Sequence, residues 1–380
     1  MHLKPLHFHF LGDRMRTKLA FIIPTMDMGG AEKQLCLLAQ NLPRDEFETR
    51  VFLLTRDGPR SDGLRAADIP VVVIGKRFKL DFTALVRLKR ELMKYQPDIV
   101  HTWLFAANSF GRVAARLAGV PVILGSERCV DPWKTPLHLW IDRALAKQTK
   151  VITTNSPGVR DFYVSRGLSA EKFQVIPNGI ESRSAGEISR TEAFARLQIQ
   201  EGRKLVLAVG RLWPQKRYRD LIWATELLDT LRDDMTLVII GDGPQLAELQ
   251  RYRDSVTTLD RVRFAGNRDD VASLLPHADQ FWIGSEYEGQ SNALIEAMQA
   301  GLPVIASRIP GNVDLVTDHV TGRLFPVGDM AALARCSQWC FEHPEQAREL
   351  AIAARQKINS QFSVQMMVDH HAGLYRQMTP

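Results

Sequence analysis

The sequence predicts an α/β protein in which a doubly wound parallel sheet is built twice. Three observations carry this expectation. Short β-branched apolar runs alternate with amphipathic stretches along most of the chain. The runs are apolar at successive positions, as strands covered by helices on both faces must be. A polar interval near the middle interrupts the alternation before it restarts, and 380 residues leave room for two domains.

In the first half, strands are expected at 18–24, 49–55, 69–75, 97–103, 120–126, 150–155 and 172–178. Helical spacing recurs between them, in Ala31, Leu35, Leu38 and Leu42 and again in Leu85, Leu88 and Leu92. The stretch 179–194 is polar, holds no strand-like run and reads as a linker. Strands resume at 204–210, 235–241, 261–266, 279–285, 302–307 and 321–327, with Leu221, Ala224, Leu228 and Leu231 marking a helix between the first two. Residues 363–378 read as a further helix that the pattern assigns to neither half.

Composition narrows the function classes. Hydrophobic residues make up 45% and charged residues 24%, as in globular proteins with substantial cores. The net charge of +6 suits anionic substrates or a membrane surface, and does not by itself imply nucleic acid. Cys36, Cys129, Cys336 and Cys340 have no metal-site spacing and no disulfide pattern, which fits a reducing cytoplasm. Cys336 and Cys340, one helical turn apart, read as small buried side chains. No stretch approaches the roughly 20 apolar residues of a membrane span. The opening segment is not expected to be a signal peptide, and Met15 stands as an alternative initiator before the first strand.

The chemistry-bearing residues gather at expected strand ends. In "SEYEGQSNALIEAMQAG" (285–301), Glu288 precedes a helix and Glu296 lies one turn inside it, with Ser291 or Asn292 as cap and Gly301 and Pro303 as the stop. A helix amino end offers free N–H groups and a favourable dipole to an anion. Alone, the two glutamates read as a first-turn acid and a solvated loop acid, because chance easily meets their spacing. "AVGRLWPQKR" places Arg211 and Lys216 just after a strand, where open α/β sheets hold ligands. A guanidinium and an ammonium there suit a diphosphate, and also suit plain solvent. "IIGDGPQ" adds Gly241 and Gly243 at another strand end.

In the first half, "IIPTMDMGGAEKQL" gives strand, glycine turn and helix, with Gly29 and Gly30 permitting close backbone approach. A simple tight turn fits as well. His101, expected at the end of a strand, reads as either a catalytic or a buried histidine. "SERCVDPWKTPLHLW" (126–140) mixes Arg128, Lys134 and His138 with Trp133 and Trp140 on an expected loop, for an acceptor, a membrane interface or packing. The basic amphipathic stretch 86–94 is expected to turn its cations to water. No Asp has another Asp two residues away, so the D-x-D metal motif is missing from the chain.

In order and spacing, "GGAE", "VIPNGI" (175–180), "VGRL" with Lys216, "GDGP", the paired glutamates and "TGRLFPVGD" (321–329) resemble the retaining glycosyltransferases of family 4, the glycosyl transferases group 1, from about Lys18 to the C-terminus. The resemblance implies a GT-B fold, two Rossmann-like domains facing across a cleft. Its domains would be an N-terminal extension at 1–17, an acceptor domain at 18–185, a donor domain at 186–362 and a final helix at 363–380 crossing back. It implies metal-independent, retaining transfer of a hexosyl-type sugar from a nucleotide-sugar, a UDP-sugar foremost, with no cofactor. The acceptor would be a glycan or lipid-linked, in cell-surface polysaccharide synthesis. The protein would be cytoplasmic, with peripheral membrane contact through the first domain and no nucleic-acid partner.

By the same resemblance Arg211 and Lys216 hold the diphosphate, Glu296 the ribose and Glu288 the transferred sugar. Gly210, Gly241, Gly243, Gly289 and the amides of Gln290, Ser291 and Asn292 complete the donor site, with Gly29 and Gly30 approaching the phosphates from the other domain. Arg211, Lys216, Glu288 and His101 are the catalytic candidates, and His101, Glu127 and Arg128 stand on the acceptor side. The chain departs from its relatives in carrying Arg128 near a place where many have histidine, and Trp103 at the second histidine of "VH-x-H". Two alternatives remain: a nucleotide-sugar epimerase of the same fold, and a non-catalytic nucleotide-sugar-binding protein.

Overall fold

The computed structural model describes residues 16–181 and 188–379. The N-terminal extension up to residue 15 and linker residues 182–187 lie outside the described residues. The first sheet contains β1 (Thr17–Ile23), β2 (Phe47–Leu53), β3 (Val71–Val73), β4 (Ile99–Trp103), β5 (Val122–Glu127), β6 (Ile152–Thr154) and β7 (Phe173–Val175). Their order is β3-β2-β1-β4-β5-β6-β7. The second contains β8 (Lys204–Val209), β9 (Met235–Ile240), β10 (Val262–Phe264), β11 (Gln280–Ile283), β12 (Val304–Ser307) and β13 (Arg323–Phe325), in the order β10-β9-β8-β11-β12-β13. The architecture is thus the twofold α/β one expected. Several expected strands shorten, 69–75 to the three residues of β3 and 321–327 to those of β13.

The described chain separates into two compact units. One comprises residues up to 126, 144–151 and from 370 onward; the other comprises 127–143 and 152–369. In the first, Ala20, Ile22, Phe52, Val100 and Ile123 point to one face of the sheet, where Leu88 and Leu92 of the helix Phe82–Tyr95 cover them. Phe21 and His101 point to the opposite face, as alternating strand residues must, and meet Tyr375 of the last helix, Val364–Met378.

The second unit has the same construction. Leu205, Leu207, Val238, Phe281 and Val304 belong to one core layer, and Val206, Ala208, Leu237, Trp282 and Ile305 to the other. The helix Tyr218–Asp229 buries Leu221, Ala224 and Leu228, but ends before Leu231, which is 67% exposed and does not continue the expected apolar face. Cys336 and Cys340 are buried and free, in the helix Met330–Glu342.

Strand order locates the ligand-binding region of the second sheet. From β8 the chain moves outward to β9 and β10, then returns to the other side of β8 with β11. Loops leaving the carboxyl ends of β8 and β11 diverge at that reversal, which is where open α/β sheets bind ligands.

Candidate functional site

The loop after β8 carries Gly210, Arg211 and a single helical turn, Pro214–Lys216, before the helix Tyr218–Asp229 begins. The loop after β11 runs from Gly284 to Ser291, whose hydroxyl caps the helix Asn292–Gln299 through the Leu294 N–H at 3.4 Å. A backbone bond joins the two loops, from the Glu286 N–H to the Gln215 carbonyl at 2.8 Å. It brings the Lys216 ammonium onto Oε1 of Glu288, and the Ser285 hydroxyl donates to the same oxygen at 2.8 Å. Two of the sequence-expected residues, 72 positions apart, are therefore directly paired.

The glycines allow this crowding. A Cβ on Gly241 would fall on the carbonyl of Gly210, and the φ of +139° at Gly241 disfavours other residues. A Cβ on Gly243 would overlap the backbone of Leu212, and one on Gly210 would lie 3.0 Å from the Tyr218 hydroxyl. Arg211 is exposed, its guanidinium 5.6 Å from the centre of the Trp213 ring. Glu296 sits half-buried in the helix Asn292–Gln299, one turn in from its start.

Arg128, expected on the acceptor side, lies against this loop. It is 7% exposed, and its Nη2 donates to Oδ1 of Asn178. The Asn178 N–H donates to Oε1 of Gln290 at 2.8 Å, and its Nδ2 donates to the Gln290 carbonyl at 3.1 Å and to Oδ1 of Asn292 at 2.7 Å. The Arg128 carbonyl packs against Gly289 and accepts from Nδ2 of Asn155 at 3.1 Å. Nothing in the local sequence pattern marks Asn178 or Asn155 as a site residue. Asn178 lies inside the "VIPNGI" motif, which supplied a signal without a role. Cys129 adjoins the same place, where burial first and the Glu288 carboxylate second push its thiol above the ordinary range.

Glu127, expected on the acceptor side, and Lys134, read for an acceptor, a membrane interface or packing, are buried together. Nζ of Lys134 lies 2.9 Å from Asp142, 3.4 Å from Glu127, 3.5 Å from Asp131 and 2.8 Å from the Tyr163 hydroxyl. Burial opposes the ammonium, but Glu127, Asp142 and Asp131 outweigh it and raise its pKa. Lys134 is therefore an anchor of the 127–143 segment and not an exposed loop cation. Trp133 and Trp140 do remain about half or more exposed, at 49% and 61%.

Gly29, Gly30 and His101 belong to the first unit. Gly29 caps the helix Gly30–Asn41, and the Glu32 carboxylate folds back against it. His101 lies in the middle of β4 and not at its end. It is 1% exposed, with Nδ1 2.8 Å from the Tyr375 hydroxyl, so of its two expected readings the geometry is that of a buried, hydrogen-bonded histidine. Among the described residues, no cluster of three or more His, Cys, Asp or Glu has metal-binding geometry, and no helix is long and apolar enough to cross a membrane.

Residues 28–183 match the family model Glycosyltransferase Family 4, and residues 189–357 match Glycosyl transferases group 1. The chain is 28% identical over 361 residues to the Escherichia coli UDP-Gal:alpha-D-GlcNAc-diphosphoundecaprenol alpha-1,3-galactosyltransferase, covering 89% of this chain and 91% of that protein. It is 24% identical to the Rhizobium meliloti lipopolysaccharide core biosynthesis glycosyltransferase LpsD, over 91% of this chain and 95% of that one. Among solved structures it is similar to Anabaena HepE in complex with UDP-glucose, with a TM-score of 0.86, 23% identity, and coverage of 95% of this chain and 100% of that one.

Proposed function

We propose, for a chain that belongs to the group 1 glycosyltransferases of GT-B fold, that it moves a sugar from a UDP-sugar to a glycan or lipid-linked acceptor in cell-surface polysaccharide synthesis. Transfer proceeds with retention at the anomeric carbon and without a divalent ion. The observation that carries this reading is the pairing of Lys216 with Glu288 at the reversal point of the second sheet, on loops that also bear Arg211 and the amide-rich start of the helix Asn292–Gln299. The name of the Escherichia coli relative, with its UDP-linked donor and diphosphate-lipid acceptor, supports the choice of substrates.

In this reading the sugar–oxygen bond breaks to leave an oxocarbenium-like ring and a nucleoside diphosphate. Charge grows on the departing oxygens, and donors already aimed there lower the barrier most. Arg211 grips the diphosphate with its planar fork, Lys216 adds a compact charge, and the amides of Gln290, Ser291 and Asn292 meet the distal phosphate. Glu296 accepts from the ribose hydroxyls and Glu288 from the transferred sugar. Entry of the donor gives Lys216 a second anionic partner, while Ser285 keeps Glu288 in place. The protein works in the cytoplasm, at the inner membrane face where a lipid-linked acceptor would be presented.

The test offers purified protein a panel of UDP-, GDP- and ADP-sugars with lipid-linked and soluble acceptors, and follows nucleotide release and the anomeric configuration of the product. Turnover with a UDP-sugar is expected to survive EDTA. Loss of Arg211 removes a charge-assisted contact worth about 1.5–3 kcal/mol, so Arg211→Ala should lose about 10- to 150-fold in kcat/KM. Undiminished turnover in Arg211→Ala and Glu296→Ala together would overturn the site assignment. Conversion of the donor without transfer would identify an epimerase instead.

A further inference from the structure

The helix Phe82–Tyr95 has two apolar faces, and only one of them is used. Ala84, Leu88, Leu92 and Tyr95 are buried against the first sheet. Phe82, Val86 and Met93 project on the other side, 71%, 46% and 53% exposed, at the i, i+4, i+11 spacing of a single stripe. The loop feeding this helix leaves β3, the edge strand, and adds Phe78 and Leu80, 61% and 69% exposed. Isolated exposed apolar residues are ordinary, but five on one loop and helix form a contiguous feature of the kind that marks an interaction surface.

The charge around this stripe is one-sided. Residues 76–94 contain seven Lys or Arg and two acids, a net +5 against +6 for the whole chain. Both acids are already engaged: Asp81 caps the helix through the Ala84 N–H and holds the Arg77 N–H, and Glu91 pairs with Lys94. Arg87 is tied to the carbonyls of Ile74 and Gly75. The side chains of Arg77, Lys79, Lys89 and Arg90 make no ion pair among the described residues. Exposed phenylalanine and leucine tips beside unpaired cations match the layering of an anionic bilayer, with phosphates outside and acyl chains beneath. A second copy of this face would meet it with like charge.

We infer that the loop 77–80 and the outer stripe of the helix Phe82–Tyr95 form a docking surface for an anionic lipid bilayer. Phe78, Leu80 and Phe82 insert at the headgroup boundary, and Arg77, Lys79, Lys89 and Arg90 lie at phosphate level. The inference deepens the proposed membrane contact and shares its lipid-linked acceptor, but binding is read without turnover, so the two readings fail separately.

The test is flotation of the full chain with phosphatidylcholine vesicles, with and without about 30 mol % phosphatidylglycerol, at about 0.1 M and 0.5 M salt. Binding is expected only to the anionic vesicles and is expected to weaken at high salt. Lys79→Glu with Arg90→Glu should reduce partitioning at least tenfold, since each cation contributes about fivefold at such a surface. Phe78→Ser with Leu80→Ser should do the same while leaving the thermal midpoint unchanged, because neither side chain is buried. Heparin serves as a soluble polyanion control. Absence of flotation with the anionic vesicles would overturn the proposal. So would vesicle binding that heparin abolishes and Phe78→Ser with Leu80→Ser leaves intact, because that pattern belongs to a generic polyanion or acidic-partner site.

Discussion

Oε1 of Glu288 accepts at once from the Lys216 ammonium and from the Ser285 hydroxyl, so one carboxylate oxygen fixes the cation of the candidate site. The pair is mostly withdrawn from water, with side chains 14% and 11% exposed. Lys216→Ala is expected to lower kcat/KM by about 10- to 150-fold, the worth of one charge-assisted contact. Glu288→Gln keeps a neutral acceptor beside Lys216, so donor affinity should change little while kcat falls. Steady-state nucleotide release, with donor affinity from calorimetry, separates the two effects.

Asn178 joins Arg128 to the loop that begins the helix Asn292–Gln299 through four hydrogen bonds. Asn178→Ala removes the three made by its side chain and should cost about 1–3 kcal/mol of stability. Because those bonds hold Gln290 and Asn292, donor KM should rise with the fall in thermal midpoint. A lower midpoint with unchanged KM would confine Asn178 to a structural part.

Gly289 and Gly311 form a stack of backbone atoms without room for a methyl. A Cβ on Gly289 would overlap the Arg128 carbonyl, and one on Gly311 would overlap the Gly289 carbonyl. Backbone cannot swing aside as a side chain can, so Gly289→Ala should cost about 1–3 kcal/mol or more. Gly373→Ala is the control, in the last helix with nothing within 4 Å of the new carbon, and should instead gain about 0.5–1 kcal/mol. Urea unfolding of both variants checks the contrast.

Burial raises the Asp131 carboxyl above its ordinary range, and the Glu127 charge adds to this against the pull of Lys134. The folded chain therefore binds this proton more tightly than the unfolded chain. The stability linked to it is complete below the unfolded pKa of about 3.9, and is lost as pH rises through the higher folded value. Asp131→Asn stays neutral throughout, and Lys134 keeps Glu127 and Asp142 as partners. The variant should match the parent near pH 4 and exceed it at pH 8. Thermal midpoints at the two values decide it.

The sheets were legible because their strands are continuous apolar runs, and the loop positions of Lys216 and Glu288 followed from where those runs stop. Other features depend on partners distant in sequence. Lys134 reads as a loop cation until Asp142 and Tyr163 close around it. Asn178 and Gln290 are 112 residues apart, and no local periodicity connects them. His101 reads as a rim residue because its cover, Tyr375, comes from the other end of the chain. The apolar stripe of Phe82, Val86 and Met93 was hidden in a helix whose buried face gave the stronger pattern.

That remote cover has a consequence for biosynthesis. Tyr375 is fully buried against His101, Phe21 and Phe47, yet 274 residues separate it from His101. At about 5–20 residues per second, a ribosome needs roughly 15–50 s to deliver the one after the other. Through that interval the nascent first sheet carries an aromatic surface that its cover from the last helix has yet to reach.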